Sequence, residues 1–302
     1  MLRGIHFLLT YTCTHSCDHC FLCCSPHSRG TMTLEQINVV LSEAQKLGSV
    51  QDIYFEGGEP FLVYSLLKDG VLAARRKGFS VGIVTNGFWA KNEEDAIQWL
   101  EPLASLGISD LSISDDELHY GSLSHRPSKM ALDAALKLGM PARALRCSRP
   151  EINPDPNSSE EEGLPFSGGV CLRGRAVKSF ASGLPRRDPA FFLECPHEDL
   201  EDPKRVHIDV FGNVQVCQGL SIGNCWETPL ASMFRDYDPW RHPVCGPLLQ
   251  GGPNALAEVF GFSVREGWVD ECHLCFSVRK MLQQKFPEIL APPQAYGTET
   301  AV

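Results

Sequence analysis

Positive charge is scarce in this chain. Its 27 Lys and Arg stand against 37 Asp and Glu, a net charge of −10 over 302 residues. A general nucleic-acid binder carries a basic face, so that class is excluded. No apolar run approaches the roughly twenty residues that a membrane span needs. Leu2-Arg3 precede only a short apolar segment that runs into cysteines, which is not a secretory signal pattern. The 13 cysteines therefore point to metal ligation in a reducing compartment, not to a disulfide framework. A cytoplasmic, oxygen-sensitive protein is expected. The length suffices for one large domain or two, and no internal repeat is present.

What the chain does have is a cysteine pattern. Cys13, Cys17 and Cys20 stand as C-x3-C-x2-C directly after the apolar run Ile5–Thr12. Three thiolates on one loop hold three irons of a [4Fe–4S] cube and leave the fourth iron open to a ligand. An electron-transfer cluster usually has four protein ligands. A structural zinc site usually reads as two C-x2-C pairs with a longer gap. Neither matches this spacing. Isolated cysteines are often small buried hydrophobes, but three on a loop with His15, Asp18 and His19 are poor core material. Cys23 and Cys24 follow closely and read as ordinary thiols beside a set that is already complete.

The second motif is Gly57-Gly58-Glu59-Pro60, at the end of the apolar stretch Asp52–Glu56. Glycines let backbone approach a ligand closely, and a carboxylate complements an ammonium. With the two motifs in this order the chain resembles the radical SAM superfamily. The resemblance implies that the open iron binds the amino and carboxylate groups of S-adenosylmethionine. It also implies that Gly57, Gly58, Glu59 and Pro60 hold the methionine amino group. The residue before the third cysteine is usually aromatic in that family; here it is His19.

The first half alternates short apolar runs with helical spacing. Strands are expected at Ile5–Thr12, Asp52–Glu56, Phe79–Thr85, Asp110–Ser114 and Arg143–Cys147. Helices are expected at Leu34–Leu47 with Thr33 as cap, at Leu62–Lys77, at Glu94–Leu106 and at Ser128–Leu138. Repeated βα units mean a parallel sheet with right-handed crossovers. Special residues at the strand ends, Cys13, Gly57, Asn86 and Asp115, suit a barrel with its site at the C-terminal face. The resemblance implies a partial (β/α)6 TIM-like barrel, with a sixth strand at Gly168–Ala176. Glu151–Leu164 is polar and Pro-rich and reads as a solvated connector.

The C-terminal third carries more cysteines. Val206–Val210 and Asn213–Val216 flank Phe211-Gly212 like the arms of a hairpin, and a helix is expected near Leu230–Phe234. Cys195, Cys217, Cys272 and Cys275 are four candidate ligands. Four cysteines also suit zinc. The set resembles the SPASM extension, or its shorter Twitch form, that follows the barrel in many radical SAM enzymes. No cysteine follows Cys275, so a single auxiliary [4Fe–4S] cluster is implied. Cys171, Cys225 and Cys245 remain as substitutes. The expected organisation is a barrel over 1–180, a small Cys-rich α+β auxiliary-cluster domain over 190–290 and a tail over 291–302.

The resemblance implies cofactor contacts from Thr85, Asn86, Ser114 and Asp115. Arg173 or Arg175 suits a carboxylate, and surface ion pairing suits them equally. His119 is the candidate acid or base, since its ordinary pKa lies near neutrality. The resemblance implies an enzyme: reductive cleavage of S-adenosylmethionine gives a 5′-deoxyadenosyl radical that abstracts hydrogen, and an auxiliary cluster assists. The expected substrate is a small molecule, because strand one starts too early for a leader-binding domain to precede it. A maturase acting on a peptide or protein and a non-enzymatic iron–sulfur carrier are the alternatives. Expected partners are a reductant such as flavodoxin or ferredoxin and the substrate, with no nucleic acid and no membrane.

Overall fold

The computed structural model describes residues 1–122, 124–152, 166–263 and 267–298. The first elements are β1 (Gly4–Leu8), α1 (Leu34–Leu47), β2 (Asp52–Glu56), α2 (Tyr64–Arg76), β3 (Ser80–Thr85), α3 (Glu93–Ser105), β4 (Asp110–Ser114), the single turn α4 (Glu117–Tyr120), α5 (Pro127–Lys137) and β5 (Ala142–Leu145). A small antiparallel pair, β6 (Glu151–Ile152) and β7 (Phe166–Ser167), precedes α6 (Arg175–Phe180). The remainder is β8 (Arg205–Ile208), β9 (Asn213–Cys217), β10 (Leu220–Asn224), α7 (Leu230–Asp236), α8 (Cys245–Val259) and α9 (Glu271–Leu282).

One eight-stranded sheet runs β10-β9-β8-β1-β2-β3-β4-β5. From β8 to β5 every pairing is parallel, while β9 and β10 close the other end antiparallel. The first and last strands do not pair with each other, so the barrel is partial. Side chains alternate across the strands, as strand geometry requires. Phe7, Ile53, Phe55, Val81, Ile83, Leu111 and Ile113 lie in the buried apolar core. His6, Tyr54, Glu56, Val84, Ser112, Ser114, Arg143, Leu145, Arg205 and His207 face a large cavity on the other side. A fully buried parallel strand usually reads as a continuous apolar run; here the polar residues at alternate positions mark the cavity face.

Local sequence explains the element ends. Thr33 and Gln36 form a reciprocal capping box at the start of α1. Pro60 opens a 3-10 turn over Pro60–Val63 under a Glu59 cap, so α2 starts later than the expected Leu62. β1 ends at Leu8, not Thr12. Beyond it Leu9 N–H still reaches Glu56 O, at 2.8 Å, and then Tyr11 N–H turns to Gly30 O, at 3.3 Å. The chain leaves the sheet there to carry the cysteine loop.

The sixth strand expected at Gly168–Ala176 does not form. Gly174 sits at φ +61°, and a Cβ on it would lie 2.6 Å from Cys20 O. The backbone turns against the cysteine loop and enters α6 instead. The sixth parallel strand of the sheet is β8, beside β1. The hairpin expected around Phe211-Gly212 is present as β8–β9, and β10 adds a strand the periodicity did not signal. Of the polar stretch 151–164, Glu151–Ile152 pair in β6 and the rest lies outside the described residues.

The β8–β9 turn is built on one buried carboxylate. Asp209 Oδ1 accepts from Phe211 N–H at 2.9 Å and Asn213 N–H at 3.0 Å. Its Oδ2 accepts from Asn213 Nδ2 at 2.9 Å, Gln215 Nε2 at 3.0 Å and Tyr11 O–H at 3.1 Å. Tyr11 lies on the segment leading to Cys13, so this network joins the hairpin to the cysteine loop. Asp209→Ala leaves these donors buried without partners. We expect a loss of about 3 kcal/mol or more in unfolding free energy, read as a lowered melting temperature. A loss under about 1 kcal/mol would contradict the network's role.

Candidate active site and metal centres

The thiols of Cys13, Cys17 and Cys20 open onto the cavity, whose volume is about 620 Å³. Small-molecule sites run from about 300 to 1,000 Å³, so the space suits a cofactor with a substrate group beside it. Burial pushes the Cys13 thiol up to about 11 and the Cys17 thiol up to about 12. Cys20 is lowered, first by the Cys24 thiol that hydrogen-bonds to it. Among the described residues no three cysteine sulfurs lie within 4.8 Å of one another. A single ion draws its ligands closer than that, while a cube holds cysteine sulfurs apart. The donor chemistry and spacing fit a cluster with one open iron.

The loop is clamped from two sides. Arg175 donates to Cys17 O at 2.8 Å and also to Cys24 O, and its backbone N–H reaches Cys20 O at 3.1 Å. On the other side, Asn86 Nδ2 donates to Thr14 Oγ1 at 3.0 Å and lies 3.7 Å from Cys13 Sγ. Gly58 packs against the loop backbone; a Cβ there would lie 2.2 Å from Thr12 O. Its N–H bonds Thr10 O at 2.7 Å, and Glu59 N–H bonds Thr12 O at 3.0 Å.

Gly57, Gly58, Thr85, Asn86, Ser114 and Arg173 line the cavity. Glu59, Pro60 and Asp115 do not. Glu59 is fully buried beneath it. Its Oε1 accepts from Thr85 O–H at 2.7 Å and Phe61 N–H at 3.0 Å, and its Oε2 accepts from Asn86 N–H at 2.8 Å. Burial pushes its carboxyl up to about 7 against the pull of these donors. Asp115 faces Ser128 Oγ at 2.9 Å and Arg146 at 3.0 Å. The neighbouring Asp116 is the residue that reaches the cavity.

His119 also lines the cavity. Its Nδ1 lies 2.8 Å from Asp116 Oδ1, and its ring stands nearly perpendicular to His19 at 4.7 Å. Burial alone would raise the Asp116 carboxyl; the His119 hydrogen bond and charge bring it below its ordinary value. Burial lowers His19 to about 4, so it stays neutral.

The second cysteine set comes together as the spacing suggested. Cys195, Cys217, Cys272 and Cys275 line one small cavity with Arg173 and Arg279. That cavity holds only about 20 Å³, yet no three of the sulfurs are within 4.8 Å of one another among the described residues. A tetrathiolate zinc cage places its sulfurs about 3.8 Å apart.

Arg173 Nη1 donates to Cys217 Sγ at 3.3 Å, and Arg279 Nη2 lies 3.8 Å from the same sulfur. Arg279 is fully buried, and among the described residues it has no carboxylate within ion-pair distance. The Nε atoms of both arginines are buried without partners. Buried charge demands a counter-charge. Around Arg279 the nearby acceptors include the Cys217 sulfur and the Gln218 carbonyl.

Cys171, one of the possible substitutes, lies beside the second set. Its sulfur pairs with Cys272, which lowers the Cys171 thiol and raises that of Cys272, and Cys171 opens onto the large cavity as well. Arg173 lines both cavities, so the two centres are separated by one side-chain layer.

A family model described as the radical SAM superfamily matches residues 7–142. The putative peptide biosynthesis protein YydG of Bacillus subtilis (strain 168) is 35% identical over 135 residues, 45% of this chain and 42% of that protein. The tungsten-containing aldehyde ferredoxin oxidoreductase cofactor-modifying protein of Pyrococcus furiosus is 30% identical over 118 residues, 39% of this chain and 32% of that protein. The matched stretch thus spans less than half the length of either relative. Among solved structures, Streptococcus suis SuiB bound to S-adenosylmethionine shares the fold, with a TM-score of 0.50 at 14% identity over 85% of this chain and 74% of that one. Motif, fold and family model agree: residues 7–142 match the radical SAM superfamily.

Proposed function

We propose that the large cavity is the chamber of a radical SAM enzyme acting on a carbon–hydrogen bond. The observation that carries this reading is the convergence of the Cys13–Cys17–Cys20 loop, the Gly57-Gly58 backbone and Asn86 on one cavity wall. When bound there, a [4Fe–4S] cluster and S-adenosylmethionine supply a carbon radical through one-electron reductive cleavage, with the electron coming from a flavodoxin or ferredoxin.

The chain's own residues do the rest. Cys13, Cys17 and Cys20 would hold the cluster. The backbone carbonyls of Gly57 and Gly58 would meet the methionine amino group, and Ser114 and Asn86 would meet polar groups further along. Glu59 acts through others: it fixes Thr85 and Asn86, and Asn86 fixes the cysteine loop. Pro60 starts the turn behind Glu59, and Asp115 braces the end of β4 from behind. His119, paired with Asp116, faces the cavity as an acid or base for substrate. The sheet and helices keep water from the radical.

Residues 1–180 would form the radical unit and 190–290 an auxiliary-cluster unit that shares its sheet. Buried Arg279 supports a metal-bound thiolate centre at Cys195, Cys217, Cys272 and Cys275 that takes up or passes on the substrate electron. The 13 free cysteines suit a reducing cytoplasm, and no described helix is long and apolar enough to cross a membrane. The primary reading of the substrate is a small molecule enclosed by the cavity. The match to a protein named for peptide biosynthesis favours a second reading, a peptide residue inserted into it.

Anaerobic reconstitution should load about eight irons as two four-iron clusters. Changing Cys13, Cys17 and Cys20 together to Ala should leave about four, and so should changing Cys272 and Cys275. Iron content unchanged by either set, with the variant folded, would show that set to be misassigned.

Glu59→Gln tests the loop. An amide has one acceptor oxygen, so its NH2 must face either the Asn86 N–H or the Thr85 and Phe61 donors. The expected cost is about 1.5–3 kcal/mol in unfolding free energy, with weaker S-adenosylmethionine binding as Thr85 and Asn86 lose their anchor and with iron retained. Anaerobic calorimetry at pH 8, above the Glu59 value of about 7, is the measurement. Unchanged affinity would reduce the loop to a simple turn.

A further inference from the structure

Three polar side chains on neighbouring strands of the cavity wall have no part in the site described so far. His6 on β1 pairs in register with His207 on β8, and Glu56 ends β2 on the other side of β1. All three point to the cavity face. One carboxylate oxygen is central: Glu56 Oε1 lies 3.1 Å from His6 Nδ1 and 3.0 Å from His207 Nε2. The three donor atoms all lie within 4.8 Å of one another.

We propose that His6, Glu56 and His207 bind a divalent first-row cation such as Mn²⁺, Fe²⁺ or Zn²⁺. Donors about 2.1 Å from an octahedral ion stand about 3.0 Å apart along each edge; the two edges that meet at Glu56 Oε1 have that length, and the third lies within 4.8 Å. Two imidazoles and one carboxylate on one side of an ion leave its remaining positions open. Those positions face the cavity. Burial alone would raise the Glu56 carboxyl, but the two imidazoles hold it below its ordinary range, so it is an anion ready for a cation. His207 is buried and stays neutral, as a ligand must, because burial lowers it. His207 meets the carboxylate through Nε2, the atom that would take the ion. Tyr54 stacks on His6 at 4.6 Å and holds the ring in place.

The open positions would take an oxygen or nitrogen donor of the substrate, such as a carboxylate, hydroxyl or amide carbonyl. The ion then anchors that group in the chamber that the cysteine loop also faces. Only this purpose rests on the radical SAM reading; the binding of the ion does not.

The test is a Mn²⁺ titration of reconstituted protein with oxidised clusters, which are diamagnetic. Free Mn²⁺ is read by its six-line EPR signal. The expected result is loss of that signal up to a single Mn²⁺ per chain, reversed by Zn²⁺. Glu56→Gln and His207→Asn should each weaken binding by at least about tenfold while iron content and visible absorbance stay as in the wild type. Should either variant lose its clusters, His6→Asn replaces it in the comparison. An undiminished free signal in the wild-type protein would overturn the proposal and leave a hydrogen-bonded His–Glu–His group. So would folded variants that bind as tightly as wild type. The titration uses neither reductant nor S-adenosylmethionine. Protein that makes 5′-deoxyadenosine but holds no Mn²⁺ refutes the ion alone, and the converse refutes the radical reading alone.

Discussion

A single buried carboxylate, Glu59, holds the active face together. It caps the turn after β2, takes the Thr85 hydroxyl at the end of β3 and takes the Asn86 backbone N–H beyond it. Asn86 then reaches across to Thr14 and Cys13 on the cysteine loop. Two strand ends and the metal-ligating loop are thus referred to one point. A carboxylate in such a place is expensive to bury. Its three donors offset the cost, and they also fix the geometry. Gly58 adds a steric condition from the same loop, since any side chain there would displace Thr12.

The same logic of charge and counter-charge links the two cysteine sets. Arg175 clamps the first loop through carbonyl oxygens, and Arg173, two residues earlier, reaches into the second set at Cys217. One short segment therefore ties the cysteine loop on the barrel to the second cysteine set. Arg279 comes from α9 itself and meets the Cys217 sulfur, the Gln218 carbonyl and the Tyr296 ring. These arginines make the second site hospitable to anionic, metal-bound thiolates and stabilise a more reduced state of whatever centre they surround. The chamber and the second cysteine set lie close together, because Cys171 and Arg173 border the large cavity and also touch members of the second set.

Much of this was legible from the sequence. α1 with its Thr33 cap, β2 and β4 lie where periodicity puts them, since short apolar runs with clear ends leave little freedom. Cys13, Cys17 and Cys20 share one loop because their spacing is local, whereas Cys195, Cys217, Cys272 and Cys275 meet only through the fold. The sixth strand was not legible. Gly168–Ala176 has the composition of a strand, but Gly174 is a contact point for the cysteine loop, and that contact is non-local. The pairing of β8 with β1 is likewise a matter of sheet order and not of local pattern. Sequence reasoning aimed Glu59 at the ligand; burial turned it towards its own scaffold. His6, Glu56 and His207 went unnoticed because they are far apart in the chain. Their signal is a polar residue at an inward position of an otherwise apolar strand.

The central claim is that the cavity beside Cys13, Cys17 and Cys20 cleaves S-adenosylmethionine. Reconstituted protein incubated anaerobically with S-adenosylmethionine and dithionite, and analysed by liquid chromatography–mass spectrometry, tests it most directly. The account predicts 5′-deoxyadenosine and methionine in equal amounts, formed only when protein and reductant are both present. Fully loaded, folded protein that leaves S-adenosylmethionine intact under these conditions would contradict it.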